Sequence, residues 1–277
     1  MTHPLLKTYK IGFIGTGNMS QALIKGMIES KVLRPEQVFA SNRSPGKLIK
    51  LKETYNIEVR EHNEQVIESC DIVILGMKPQ DLPAAIGNMS SAFNENQIVI
   101  SLAAGINMHS LKKMIPHGRL ARMMPNTPAL IGRGILGFLS HPQNDDVVSD
   151  LIKDLFAALG VVLEVDNEDQ FDALMVSCSS GTGFVFEMMM YWQDWISEHG
   201  FTVEESKQMT IETFLGASLL AAQSIGTDIE ELQHRVTSKK GVTAAGLLSM
   251  RELEIERALR VSFEKAALRS QELSRQI

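Results

Sequence analysis

A short apolar run, Ile11-Gly-Phe-Ile14, leads straight into Gly15-Thr-Gly17-Asn-Met-Ser20, and a helical pattern follows toward Ser30. Strand, glycine turn and helix in that order constrain the fold more than any other segment, because together they open a dinucleotide-binding βαβ sheet. Gly15 permits the tight turn, and Gly17 lets a pyrophosphate approach the backbone. The helix start offers unpaired N–H groups and the positive end of its dipole to the same anion. Ser20 stands in the place of the third glycine, which a small side chain can fill. Gly15, Gly17, Asn18 and Met19 are therefore expected to bind the cofactor.

The alternation continues along the chain. Further runs at Val38–Ser41, Ile72–Leu75, Ile98–Ser101 and Leu120–Met124 alternate with amphipathic stretches, the pattern of an α/β domain with a doubly wound parallel sheet. Val161-Val-Leu-Glu-Val165 reads as the last strand, and Asp166-Asn-Glu-Asp169 supplies capping side chains for a helix. All nine prolines lie at or before Pro142. Beyond Asp166 apolar residues recur at helical spacing, and a Leu-, Ala-, Glu- and Arg-rich stretch runs from Ala244 to about Leu273. The chain should divide into a Rossmann-type domain, 1–165, and an all-α domain, 166–277, which suits a length of 277 residues.

The helical half is rich in apolar and small residues such as Met188-Met-Met190, Ala221-Ala222 and Ala244-Ala245-Gly246. So short a bundle cannot bury them all, which points to a homodimer through these helices, with Tyr191, Trp192 and Trp195 in core or interface packing. Apolar stretches fall short of the roughly 18 residues of a spanning helix, so no membrane association is expected. The start of the chain carries no apolar leader run, and a soluble, unprocessed protein is expected. With 27 Lys and Arg against 33 Asp and Glu, the net charge of −6 argues against a nucleic-acid partner. Cys70 and Cys178 stand far apart without a second cysteine near either, which fits a reducing cytoplasm. The seven histidines show no ligand spacing, and no metal site is expected.

The end of the second strand speaks to the choice of nucleotide. An NAD enzyme usually has Asp or Glu there to accept from the ribose hydroxyls, but this strand ends Ala40-Ser-Asn42-Arg43-Ser44, with Lys47 a turn later. Arg43 can face a 2′-phosphate with its guanidinium fork, and Asn42 and Ser44 can donate to it. NADPH is the expected cofactor, with NADH also accommodated.

Three further landmarks follow strand ends: Gly76-Met77-Lys78-Pro79-Gln80, Ser101-Leu-Ala103-Ala104-Gly105 and Arg122-Met-Met-Pro125-Asn126-Thr-Pro128. With the glycine fingerprint they resemble the pyrroline-5-carboxylate reductase family over nearly the whole chain. The resemblance implies that Met77, Lys78, Pro79, Ala103, Ala104 and Gly105 line the nicotinamide and its ribose, and that Asn63 lies near the adenosine ribose. It also places Asn126, Ser180, Gly181, Ser238, Gly241 and Thr243 at the substrate. Dimers that assemble further into rings are compatible with it.

Two segments depart from the family pattern. Where the family has Ser-Gly-Ser-Gly-Pro-Ala-Tyr and Ser-Pro-Gly-Gly-Thr-Thr, this chain has Ser177-Cys-Ser-Ser180-Gly181-Thr-Gly-Phe184 and Ser238-Lys239-Lys240-Gly241-Val-Thr243. In the family, backbone N–H groups at the start of the last helix hold the substrate carboxylate, and the threonine matching Thr243 reaches the ring nitrogen. Lys239 and Lys240 can either draw an anion to that loop or cap a solvated turn. The implied reaction is NADPH-dependent reduction of the cyclic imine 1-pyrroline-5-carboxylate to L-proline, with Thr243 as the orienting catalytic group. Two other readings compete: an NADP-binding paralogue that is non-catalytic or re-targeted, and an oxidoreductase resembling the β-hydroxyacid dehydrogenases. The second needs a lysine on the first interdomain helix, and no lysine lies between Lys153 and Lys207.

Overall fold

The computed structural model describes residues 3–275. Its first compact unit, within 3–182 and 266–275, is built on an eight-stranded sheet of order β3-β2-β1-β4-β5-β6-β7-β8. These strands are β1 (Ile11–Ile14), β2 (Val38–Ser41), β3 (Glu58–Val59), β4 (Ile72–Leu75), β5 (Ile98–Ser101), β6 (Arg119–Pro125), β7 (Gly134–Ser140) and β8 (Gly160–Glu164). Strands β1, β2, β4 and β5 are buried along their whole length, which is why their sequences read as unbroken apolar runs rather than alternating ones. Their faces are covered by α1 (Asn18–Glu29), α2 (Pro45–Tyr55), α3 (Asn63–Ser69), α4 (Leu82–Met89), α5 (Met108–Met114) and α6 (Asp146–Phe156). Leu23, Ile24, Met27 and Phe156 fill the core with one set of strand side chains, and Val66, Leu82, Ile86 and Leu111 with the other.

Because β1 pairs with β2 on one side and with β4 on the other, the strand order reverses there and a crevice opens above their carboxyl ends. Two strands escape the apolar pattern. β3 has only two residues, and β7 is interrupted by Gly134 and Gly137. A Cβ on Gly137 would stand 2.4 Å from the ends of the Leu174 side chain, so the glycine lets that side chain pack closely on β7. β7 also runs antiparallel to β6, so the sheet is mixed and the expectation of a parallel sheet is corrected at this pair.

The composition boundary at Asp166 and the packing boundary do not coincide. Helix α7 (Glu168–Leu174) and the π-helical turn Met175–Ser180 belong with the sheet. Phe171 and Leu174 are buried there, and Glu168 pairs with Arg122 of β6. Asn167 caps α7 by accepting from the Gln170 N–H.

The second unit, residues 183–265, is entirely helical. It contains most of α8 (Gly181–Glu198), then α9 (Val203–Gln223), α10 (Ile229–Arg235), α11 (Val242–Glu252) and the first half of α12 (Ile255–Arg275). The Leu-, Ala-, Glu- and Arg-rich stretch from Ala244 forms two helices, divided at Leu253-Glu254 where Glu254 takes φ +50°. Gly200, at φ +88°, ends α8. Phe186, Met190, Trp192, Trp195, Leu219 and Leu220 are exposed in the single chain, although Trp192 meets Phe214 edge-on.

One helical span is longer and more apolar than the runs in the sequence suggested. Helix α7, the π-turn and α8 run on as a single helical span, Glu168–Glu198, of 31 residues with a stretch of mean hydropathy 1.2, long and apolar enough by composition to cross a membrane. The sequence reading missed it because scattered acidic and polar residues break the apolar run without breaking the helix.

Candidate cofactor and substrate site

At the crevice between β1 and β4 lies a cleft of about 690 Å³. Its floor is the glycine turn. Gly15 takes φ +92°, and a Cβ on it would stand 3.0 Å from the Gly76 carbonyl group. Gly17, the N-cap of α1, has no side-chain cap, so the first N–H groups of the helix are left for an anion. Gly76 is equally constrained: a Cβ there would meet Ser20 Oγ at 2.0 Å and the Gly15 carbonyl oxygen at 2.8 Å. Ser20 Oγ and Thr16 Oγ1 are buried without a partner among the described residues, so the turn is packed closely around bare backbone. This floor fits a dinucleotide pyrophosphate.

At one end the wall is made by Asn42, Arg43, Ser44, Lys47 and the segment Glu61–Glu64. Arg43 makes no ion pair among the described residues, leaving its guanidinium for a phosphate. Ser44 is the N-cap of α2 and its side chain makes no capping bond. Asn42 behaves differently from its expected donor role. Its Oδ1 accepts from the Thr16 N–H at 3.1 Å and its Nδ2 donates to the Ser44 carbonyl at 3.0 Å, so it ties the two phosphate loops together. Asn63 Oδ1 accepts from Ser41 Oγ at 2.8 Å, which fixes the side chain at the cleft wall.

The other end continues into a cavity of about 190 Å³ lined by Gly17, Met19, Ser20, Gly76, Met77, Leu102, Met124 and Pro125. A flat, weakly polar ring suits these apolar walls. The structure thus brings Gly15, Gly17, Met19, Asn42, Arg43, Ser44, Asn63, Met77 and Lys78 together around two cavities that share Gly17, Gly76 and Met77. It leaves Asn18, Pro79, Ala103, Ala104 and Gly105 outside the walls of both cavities, where Ala103 is buried and Gly105 turns the chain at φ +78°. The sequence reading omitted Glu61, His62 and Glu64, which lie between the two-residue β3 and the first turn of α3, and Asp81, Ala84, Ala85 and Asn88, which lie just before and along α4.

Of the residues expected at the substrate, Ser180 ends the π-turn exposed and Gly181 is buried at the start of α8. Asn126 is 6% exposed, and its amide bridges the Ile135 N–H at 2.9 Å and the Cys178 carbonyl at 3.2 Å. Asn126 thus links two pieces of backbone, a role the sequence did not signal. In the helical unit Ser238, Gly241 and Thr243 cluster: the Gly241 N–H donates to the Ser238 carbonyl at 3.0 Å, and Gly241 caps α11 without a side-chain bond. Thr243 is exposed in the first turn of α11.

Lys240 takes φ +60°, the left-handed region, at the position where the resemblance has glycine. That conformation costs a side chain roughly 1–2 kcal/mol, partly offset in glycine by its freer unfolded chain. Lys240→Gly is expected to stabilise the protein by about 0.5–1 kcal/mol, read as a higher urea midpoint. A midpoint that stays put or falls would refute the strain.

A cleft of this construction, on this sheet order, defines a nicotinamide-dinucleotide oxidoreductase. Residues 10–105 match the family described as NADP oxidoreductase, coenzyme F420-dependent, and residues 168–273 match the pyrroline-5-carboxylate reductase dimerisation family. The pyrroline-5-carboxylate reductase of Pseudomonas aeruginosa is 32% identical over 98% of this chain and 99% of its own. A solved pyrroline-5-carboxylate reductase from Coxiella burnetii superposes with TM-score 0.90 at 28% identity, covering 96% of this chain and 99% of its own. The fold is also that of the Plasmodium falciparum enzyme solved with NADP bound, with TM-score 0.86 at 24% identity, covering 96% of this chain and 98% of that one. The chain belongs to the pyrroline-5-carboxylate reductase family.

Proposed function

We propose that this protein reduces the C=N bond of 1-pyrroline-5-carboxylate to give L-proline, with NADPH as electron donor. The observation that carries the reading is the glycine-floored cleft whose adenosine end presents the ion-pair-free Arg43 with Ser44 and Lys47, in a chain aligned over its whole length with enzymes of this name. NADPH, when bound, supplies the hydride to the imine carbon. The chain's task is then mainly to hold and orient, since a protonated cyclic imine is already electrophilic. Gly15, Gly17 and the α1 amides take the pyrophosphate. Met19, Met77, Met124 and Pro125 exclude water from the ring.

The amides from Ser238 to Thr243 take the substrate carboxylate, and the Thr243 hydroxyl orients the ring nitrogen without serving as its acid, since a neutral hydroxyl is a poor proton source at pH 7. Ser180, Gly181, Ser238 and Gly241 bound the imino acid. The functional division at 165/166 assigns the nucleotide to the first part and self-association to the second. A second copy covering the exposed Phe186, Met190 and Trp195 makes the apolar α8 an interface helix, and the assembly is a homodimer able to build higher oligomers. A cytoplasmic location suits the two free cysteines; burial pushes the Cys70 thiol up to about 12, so it stays inert.

The test is NADPH oxidation in the presence of racemic pyrroline-5-carboxylate. Turnover is expected with NADPH and more weakly with NADH, and Arg43→Ala should raise the NADPH Kd about tenfold while leaving that of NADH unchanged. Tight NADPH binding without turnover would favour the non-catalytic paralogue, in keeping with the Lys239-Lys240 replacement.

A further inference from the structure

The π-helical turn Met175–Ser180 is held from outside its own helix. π-turns break the regular ladder of a helix and survive where other groups satisfy the displaced backbone. Here two side-chain donors converge on one carbonyl: Asn126 Nδ2 at 3.2 Å and Thr182 Oγ1 at 3.1 Å both donate to Cys178 O. A reciprocal bond runs the other way, from Ser179 Oγ to the Pro125 carbonyl at 3.2 Å. Asn126 is itself anchored, because its Oδ1 accepts the Ile135 N–H of β7 at 2.9 Å. Pro125 and Met124, immediately before Asn126, form a wall of the 190 Å³ cavity. The side of the π-turn is therefore stapled to the wall of the ring-binding cavity, and Ser180 and Gly181 follow directly.

We propose that Asn126 is a positioning residue for imine reduction: by bonding Cys178 O it fixes the π-turn, and with it Ser180 and Gly181, against the Met124–Pro125 wall without touching substrate itself. This rests on the reading that Ser180 and Gly181 border the imino acid. Its asymmetry makes it testable. Asn126→Asp keeps an acceptor for the Ile135 N–H but sets a carboxylate oxygen against the Cys178 carbonyl, so it cuts the π-turn bond and spares the β7 bond.

Losing one hydrogen bond of this kind corresponds to about a tenfold change. In Asn126→Asp the KM for pyrroline-5-carboxylate should rise about tenfold with kcat altered less than about threefold, and the NADPH Kd should stay within about twofold of the parent. Ser179→Ala should move the same parameter in the same direction by less. An unchanged KM for the imine in Asn126→Asp, or an NADPH Kd that rises in parallel, overturns the proposal. Hydrogen exchange supplies a readout that does not depend on turnover: amides of residues 178–182 should exchange about tenfold faster in Asn126→Asp, with those of β1 and β4 unmoved. If the parent protein binds NADPH but reduces no imine, the proposed function fails by itself. Exchange then decides the role of Asn126, faster exchange confined to the turn supporting it and unchanged exchange refuting it.

Discussion

Glu168→Ala is expected to destabilise the protein by about 3 kcal/mol or more, because it strands a buried guanidinium. Arg122 is 2% exposed in β6, its guanidinium lies 4.1 Å over the Phe171 ring, and Glu168 is its ion-pair partner. Burial pushes the arginine's pKa down while Glu168 and Asp172 hold it up, and its Nε has no hydrogen-bond partner. Glu168 also accepts from the Met108 N–H at 2.6 Å, so its loss loosens α5 as well. Urea denaturation followed by circular dichroism measures the effect. The pair Arg122→Met with Glu168→Gln should recover most of the loss, since an apolar side chain of similar volume carries no desolvation cost there and glutamine keeps the Met108 bond. A single-variant loss below about 1 kcal/mol would show that the pair does not hold α7 to the sheet.

The second large effect is on the nucleotide. Gly76→Ala places a methyl 2.0 Å from Ser20 Oγ and 2.8 Å from the Gly15 carbonyl oxygen, at the junction that shapes the floor of the cleft. Backbone cannot yield there without moving the pyrophosphate turn. NADPH affinity should fall about a hundredfold, the scale on which about an ångström of misplacement acts, and titration calorimetry reads it directly. Adding Ser20→Gly removes the nearer obstacle and should restore part of the affinity, leaving the Gly15 contact. Parental affinity in the single variant would mean that the β1–α1 turn is free to shift, contrary to the packing described.

The two effects mark where the sequence was legible. Gly15, Gly17 and Arg43 line the cleft and could be picked out from sequence because each follows an apolar strand, and in a doubly wound sheet the carboxyl end of a strand is where ligands bind. Met77 and Lys78 were placed by resemblance and do line the cleft. Asn42 and Asn126 carry structural bonds that the sequence did not signal, for one shared reason. A polar residue at a strand end can as well serve the backbone of a neighbouring loop, and only the positions of Thr16, Ser44, Ile135 and Cys178 show that both do so.

Local pattern by itself determined the glycine turn, five buried strands, the helical second half and the absence of an acid after β2, because each depends on residues adjacent in the chain. Tertiary structure alone decided the reversal of β7 against β6, the attachment of α7 to the sheet through Arg122, and the π-turn gripped by Asn126. The first joins residues more than ten positions apart and the other two residues 46 and 52 apart, and their energies come from burial and hydrogen bonding that exist only once the sheet has brought the partners together.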